Sequence, residues 1–353
     1  MQSVLIGICP PITEDTWKGT IDIDKIQWVD ESLINDNGQP TTLVEALIDE
    51  ATDANEMVSS VSKSLGEKHL CELWASAPAP MPLRPIPHGY PITLSNKESV
   101  NEKDEWIYQT FRTWGILQTQ NFLGLEHVQE LRDCVLEEIS NVETMLNQHK
   151  PELKIGKDVF HFREIASRGN ERFDLVLSGD KVKNFIQNHL VLKAMSLLEQ
   201  ILGSANEIDY DISVVYSKPG APVQGWHADG DHQKGAKDAG WDCSTRLETL
   251  ADPYAVCLFM PLIPLNEEVG YTQFWPGSHR YRNLMGFGPV AEIAGATWNG
   301  KCMAGDAIFY DYRLFHRGMP NKITSMTLRP VLQIVFKKKW YVEKANYGTE
   351  SYR

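Results

Sequence analysis

Three stretches of this chain carry residues whose types and spacing suit metal and anion chemistry. In Gln224-Gly-Trp-His-Ala-Asp-Gly, His227 and Asp229 stand two residues apart. On an extended strand, residues i and i+2 point to the same face, so one imidazole and one carboxylate converge there. With 10 histidines in the chain, about 0.6 such pairs arise by chance, so the pair alone also fits an ordinary hydrogen-bonded histidine in a surface turn. The second stretch, Gly305-Asp-Ala-Ile-Phe-Tyr-Asp-Tyr-Arg-Leu-Phe-His-Arg-Gly, is a tight turn, an apolar strand and then His316. A lone histidine there also fits a satisfied core residue. Joined to the upstream pair, it completes two histidines and one carboxylate. That set binds one face of a non-haem Fe(II) and leaves positions open for a bidentate cosubstrate and O2. The third is Arg329, 13 residues beyond His316, opening the apolar run Arg-Pro-Val-Leu-Gln-Ile-Val-Phe. A guanidinium at the mouth of an apolar barrel needs an anionic partner, because an unpaired buried charge is costly. A dicarboxylate chelating iron at one end supplies that partner at the other; an exposed strand-end arginine is the alternative.

The elements that would position these residues follow from periodicity. Gly115–Leu123 reads as a short strand. Leu125–Leu146 carries apolar residues at 125, 128, 131, 135, 139, 142 and 146, the stripe of an amphipathic helix. A second helix is expected over Lys181–Leu202, ending at Gly203. Thereafter Ile212–Tyr216, Tyr254–Leu262, Tyr271–Trp275, Ala307–Tyr310 and Val331–Phe336 are strand-like runs between Pro/Gly turns. Helices followed by many short strands indicate a mainly β chain with α, a jelly-roll or barrel core backed by helices. Residues 1–76 mix short apolar segments with acidic and Asn/Gly turns and carry no recognisable chemistry. Residues 77–91 hold six prolines and read as an extended connector or a low-complexity linker. The expected organisation is an N-terminal extension over 1–105 packed on the core, a jelly-roll domain over 106–345, and a tail over 346–353.

Composition narrows the function classes. With 353 residues, 42% hydrophobic and 23% charged, the chain can bury a sizeable core and is neither disordered nor collagen-like. No apolar run is long enough for a membrane span. The net charge of −13 argues against nucleic acid and anionic membranes as partners. Six scattered cysteines without a CxxC or zinc-like spacing point to a reducing, cytoplasmic setting. The closing Ser-Tyr-Arg differs from the peroxisomal Ser-Lys-Leu signal.

Taken together, these motifs resemble the phytanoyl-CoA dioxygenase-like family of Fe(II)/2-oxoglutarate dioxygenases, over about Trp114 to Trp340. Trp114-Gly-Ile-Leu and Phe122-Leu-Gly-Leu-Glu resemble the family's entry strand and first helix. Gly270-Tyr-Thr-Gln-Phe-Trp-Pro-Gly-Ser-His resembles its G-x-T and PGSH turn. Phe309-Tyr-Asp-Tyr-Arg-Leu-Phe-His-Arg-Gly-Met-Pro-Asn, followed by Arg329-Pro, is the most specific match. The resemblance implies a double-stranded β-helix, or cupin-like, core. It makes His227, Asp229 and His316 the iron ligands and Arg329 the partner of the distal carboxylate of 2-oxoglutarate, with Thr272 and Gln224 as further cosubstrate contacts. It implies Fe(II), 2-oxoglutarate and O2 as cofactors, with ascorbate as an accessory reductant. No catalytic side chain is implied beyond the iron ligands. Several relatives carry serine two residues after the distal histidine. This chain has Gly318, so one cosubstrate hydrogen bond is expected to be missing or supplied elsewhere. Asp229 disfavours halogenation, because family halogenases lack that carboxylate.

The expected reaction oxidises an unactivated C–H bond of a small molecule, expected to bear a carboxylate, by hydroxylation, desaturation or oxidative cyclisation, as in secondary-metabolite biosynthesis. The acidic surface argues against an acyl-CoA. Trp226, Trp241, Arg246 and Tyr216 are candidate substrate contacts, the middle two on a glycine-bearing insertion after Asp229 that reads as a lid or a plain solvated loop. A monomer is expected. The rival readings are a jelly roll that binds ligand or metal without turnover, a protein side-chain hydroxylase, and a zinc hydrolase that would leave Arg329 unexplained.

Overall fold

The computed structural model describes residues 2–9, 26–34, 40–48, 53–78, 93–94, 103–230, 240–241, 248–249, 252–281, 284, 286–343 and 346–353. Two compact units are present. One comprises Met1–His88, His232–Ala251 and Trp275–Trp298, the other Gly89–Asp231, Asp252–Phe274 and Asn299–Arg353.

The first unit contains strands absent from the sequence reading. β1 (Gln2–Cys9), β2 (Ile26–Ile34), β3 (Pro40–Ile48) and β4 (Leu70–Pro78) form an antiparallel sheet in the order β2-β3-β1-β4. Helix α1 (Ala54–Leu65) starts at Asp53, whose carboxylate accepts from the Asn55 amide, a side-chain N-cap. Val4, Ile6 and Ile8 share one face of β1 and pack with Val44, Ala46, Ile48 and Val61, and Leu5 on the other face is buried too.

The second unit is the double-stranded β-helix expected from the motifs. Its large sheet runs β5 (Thr93–Leu94), β6 (Ile116–Thr119), β15 (Ala307–Asp311), β12 (Ala255–Pro261), β17 (Arg329–Lys338), β9 (Ile208–Ser217), β8 (Arg172–Val176) and β7 (Ile165–Ser167) in spatial order. Pairing is antiparallel except for β5 with β6. A small sheet, β14 (Trp298–Gly300), β13 (Thr272–Phe274) and β16 (His316–Gly318), supplies the second layer. Phe274 of the small sheet meets Tyr310 of the large one at 5.2 Å between ring centroids.

Alternation decides what each face of the large sheet does. Val214 and Tyr216 of β9, Leu332, Ile334 and Phe336 of β17, and Leu258 and Met260 of β12 are buried with the helices. The intervening Arg329, Val331, Gln333 and Val335 face inward and line cavities. Behind the sheet, α3 (Leu125–His149) buries Val128, Leu131, Val135, Ile139, Val142 and Leu146. At about 2 kcal/mol per buried side chain, this stripe contributes on the order of 10 kcal/mol. It fixes the sheet on which the site is built. The second expected helix occurs as α4 (Asp180–Ile186), a π-helical turn (Gln187–Val191) and α5 (Leu192–Leu202). Leu190 and Val191 are both buried, and the widened turn absorbs the extra residue that a strict 3.6 period would expel.

Candidate metal and cosubstrate site

His227 and His316 are brought together by their own backbones. The His227 amide donates to the His316 carbonyl at 3.0 Å and the His316 amide returns the bond at 2.8 Å. This isolated antiparallel bridge sets the imidazole centroids 4.5 Å apart. Each ring then bonds to the carbonyl two residues before it, His227 Nδ1 to Gly225 at 2.9 Å and His316 Nδ1 to Leu314 at 3.0 Å. A carbonyl oxygen can only accept, so both protons sit on Nδ1. Both Nε2 atoms keep a lone pair, the form that binds a metal. The Asp229 carboxylate completes the set, with one ligand atom from each residue lying within 4.8 Å of the others. Its Oδ2 accepts from the Tyr310 hydroxyl at 3.0 Å and lies 3.7 Å from His316 Nε2. Burial pushes His316 down to about 4, against an opposing pull from Asp229, so the ring is neutral at physiological pH.

The triad opens into a cavity of about 550 Å³ that also contains Gln224, Thr272, Gly318, Arg172 and Arg329. Arg329 is 3% exposed and donates from Nη1 to the Met319 carbonyl at 3.2 Å, while its Nε has no partner. Burial, with Arg172 alongside, pushes its guanidinium down to about 9, still charged at neutral pH. Arg172, absent from the sequence reading, is 1% exposed. It donates to the carbonyls of Gly318, Pro222 and Met319, and its Nε is also unpartnered. Burial lowers it to about 10. Both arginines pair in register with Ser217 of β9, and the buried Ser217 Oγ likewise lacks a partner. Two cations and a hydroxyl with unmet hydrogen-bonding capacity thus share one cross-strand row. No carboxylate among the described residues pairs with either arginine. Leaving such a row without an anion is costly.

Glycines make the row possible. A Cβ on Gly318 would lie 2.3 Å from Arg172 Nη1 and 2.5 Å from Gln224 Oε1, so the volume that a serine would take is filled by a guanidinium. Gly270 adopts φ +80°, and a Cβ there would sit 2.7 Å from Arg329 Nη1, which accounts for the glycine of the G-x-T turn. The Gly318 amide donates to Gln224 Oε1 at 3.0 Å, and Thr272 pairs with Gly318 across the small sheet.

Two of the candidate substrate residues, Tyr216 and Trp226, are not part of this cavity wall. Tyr216 points to the helical side of the sheet, where its hydroxyl donates to Glu143 at 2.8 Å. Trp226, 8% exposed, lies under the Arg317 guanidinium and is not part of the cavity wall. Trp241 belongs to β10 (Gly240–Trp241), which pairs with β11 (Glu248–Thr249). Arg246 and most of that insertion lie outside the described residues. Among the described residues no helix is long and apolar enough to cross a membrane.

A family model described as phytanoyl-CoA dioxygenase (PhyH) matches residues 111–327, more than half of the chain. Solved structures with a similar fold include the non-haem α-ketoglutarate-dependent epimerase SnoN from nogalamycin biosynthesis, at 16% identity and TM-score 0.44, covering 67% of this chain and 81% of that one. AviO1 from Streptomyces viridochromogenes Tue57 matches at 15% identity and TM-score 0.45, covering 68% and 97%. EvdO2 from Micromonospora carbonacea var. aurantiaca, crystallised with 2-oxoglutarate, matches at 15% identity and TM-score 0.43, covering 71% and 96%.

Proposed function

The chain belongs to the phytanoyl-CoA dioxygenase family, and from that premise we propose that His227, Asp229 and His316 hold Fe(II) and that Arg329 and Arg172 together hold the far carboxylate of 2-oxoglutarate. The chain is an Fe(II)/2-oxoglutarate-dependent dioxygenase, and its proposed reaction is hydroxylation of an unactivated C–H bond in a small molecule. One observation carries the assignment of residues. Two imidazoles with free Nε2 atoms and a carboxylate share a cavity with two buried guanidiniums that have no carboxylate partner.

When bound, iron and 2-oxoglutarate supply O2 activation coupled to decarboxylation, giving succinate and CO2 with oxidation of a substrate C–H bond. The protein's own part is positional. The Nδ1–H bonds of His227 and His316 to backbone carbonyls lock the rings with Nε2 inward. The Tyr310 hydroxyl holds Asp229 Oδ2 and fixes which oxygen faces the triad. Arg329 and Arg172 offer their unpartnered Nε–H groups to an anion, and their shared bonds to the Met319 carbonyl keep both in place. Val215, Phe259 and Val331 supply apolar wall, which strengthens these charge interactions by thinning the water around them. Thr272 and the amide nitrogen of Gln224 complete the polar lining.

The test is stoichiometric. Purified protein given Fe(II), O2 and 2-oxoglutarate should release succinate with uncoupled consumption of 2-oxoglutarate, and Asp229→Ala should release none. A wild type that binds 2-oxoglutarate without ever producing succinate would identify a binding protein instead.

A further inference from the structure

The charges that line the triad's cavity do not cancel. Among the described residues, three guanidiniums, Arg168, Arg172 and Arg329, stand against two carboxylates, Asp174 and Asp229. His227 and His316 add no charge, since each keeps a lone pair on Nε2 for the metal. Fe(II) and the 2-oxoglutarate dianion carry equal and opposite charge, so loading both leaves the cavity one positive charge in excess. This surplus lies in a chain whose net charge is −13 and whose surface otherwise repels anions. A second chamber of about 900 Å³ shares Asp174, Gln333 and Asn346 with the first. Its cations Arg163 and Lys183 also lack acidic partners among the described residues, but both are exposed and no member of the triad lines it. The C–H bond to be oxidised therefore has to lie in the first cavity, beside the metal ligands.

Arg168 is the guanidinium of this cavity that a substrate can still reach. It opens the turn between β7 and β8, where its amide donates to the Arg172 carbonyl at 2.8 Å. Gly169 takes φ +104° and Glu171 φ +53°, left-handed conformations that reverse the chain within a few residues. Neighbouring segments brace the turn: the Glu171 amide donates to the Gly156 carbonyl at 2.9 Å, and the Lys218 amide donates to the Glu171 carbonyl at 2.8 Å. The backbone of two lining residues, Arg168 and Asn170, is fixed in this way. Arg168 uses one nitrogen within the protein. Its Nη2 donates to Asp174 Oδ2 at 3.1 Å and to the carbonyl and side-chain oxygens of Asn346 at 2.7 and 3.2 Å. Its Nε and Nη1 have no acceptor among the described residues, and 22% of the side chain is exposed. The Asn170 side chain is exposed and equally uncommitted. Arg172 and Arg329 are 1% and 3% exposed and belong to the cosubstrate. A carboxylate accepts two parallel N–H bonds from one guanidinium, and the apolar Val223 and Phe259 of the same wall suit a hydrocarbon body.

We propose that the substrate is a monoanionic carboxylic acid and that Arg168, with Asn170, binds its carboxylate at the edge of the cosubstrate cavity. The proposal rests on the assignment of that cavity to iron and 2-oxoglutarate. The full chain, loaded with Ni(II) and 2-oxoglutarate, is titrated with phenylacetate, phenylacetamide and phenethylamine, probes of similar size and different charge, and binding is followed by saturation-transfer NMR. Phenylacetate should bind at least about fivefold more tightly than either of the others, with 2-oxoglutarate still bound. Arg168→Gln keeps a donor for the buried Asp174 and removes the charge, so it should abolish the preference. Asn170→Asp, at an exposed position that the fold does not depend on, should weaken phenylacetate about fivefold and strengthen phenethylamine. Equal binding of the three probes, binding of none, preference for the amine, displacement of 2-oxoglutarate by phenylacetate, or an undiminished preference in both variants would overturn the proposal. Failure of the nickel-loaded wild type to bind 2-oxoglutarate would instead remove the assignment on which it rests.

Discussion

Two cavities beside the large sheet, sharing Asp174, Gln333 and Asn346, hold their charges differently. In the first, Arg168 is matched by Asp174 while Arg172 and Arg329 are left over, each with an unpartnered buried Nε. In the second, each lining acid already has its donors within the protein. Both compartments draw walls from β8, β9 and β17, with Asp174, Gln333 and Asn346 common to the two. The difference therefore lies in which residue occupies each inward position. A charge surplus in a buried row is a stored demand for a ligand of opposite sign.

The strongest way to sharpen this contrast is Arg329→Met. Removing a charge that binds an anion in a buried site costs 2–5 kcal/mol as a typical range, so 2-oxoglutarate affinity of the nickel-loaded protein should fall about 100-fold or more by calorimetry. The same change removes an uncompensated buried cation, so the ligand-free protein should melt a few degrees higher. A lower melting temperature would mean that the guanidinium has a partner in the free protein. Arg172→Met should act in the same directions, weakening 2-oxoglutarate about tenfold. Because the two arginines share one acceptor, the double variant should fall short of the sum of the single effects. Gly318→Ser restores the residue of several relatives, but its Cβ collides with Arg172 Nη1. An affinity loss of about fivefold is expected, with Arg172→Met/Gly318→Ser recovering part of it. In the second cavity, Lys337→Met breaks a pair whose acid is 60% exposed. It should cost under about 1 kcal/mol in stability and leave 2-oxoglutarate binding unmoved. A large loss of 2-oxoglutarate affinity in Lys337→Met would break the distinction between the compartments.

The parts of this site that were legible in the sequence are those set by local spacing. His227 and Asp229 stand two apart, His227 in an isolated β-bridge and Asp229 in the bend that follows, and Arg329 was visible as a cation opening an apolar strand. The glycine of the G-x-T turn was visible too, although its reason, the approach of Arg329, is not. Arg172 was invisible. Its role depends on β8 lying beside β9 in the register that sets Arg172 against Ser217, and on Gly318, 146 positions away, leaving room for it. Tyr216 misled because aromatics enrich both faces of strands. Parity on β9, set by register with β17, sends it to the helices. The second chamber draws walls from β8, β9, β17, the π-helical turn and the C-terminal residues 346–349, a juxtaposition that no local pattern encodes. The strands of the first unit were missed for a different reason: their apolar runs are short, and only pairing reveals Val4, Ile6 and Ile8 as one buried face.

The most direct test of the central claim is spectroscopic. Under anaerobic conditions Fe(II) and then 2-oxoglutarate are added to wild type, His227→Ala and Arg329→Met. The account predicts a weak visible metal-to-ligand charge-transfer band in wild type. The band should be absent in His227→Ala and should appear in Arg329→Met only at much higher 2-oxoglutarate. A wild type that takes up iron yet shows no band at any 2-oxoglutarate concentration would contradict the account.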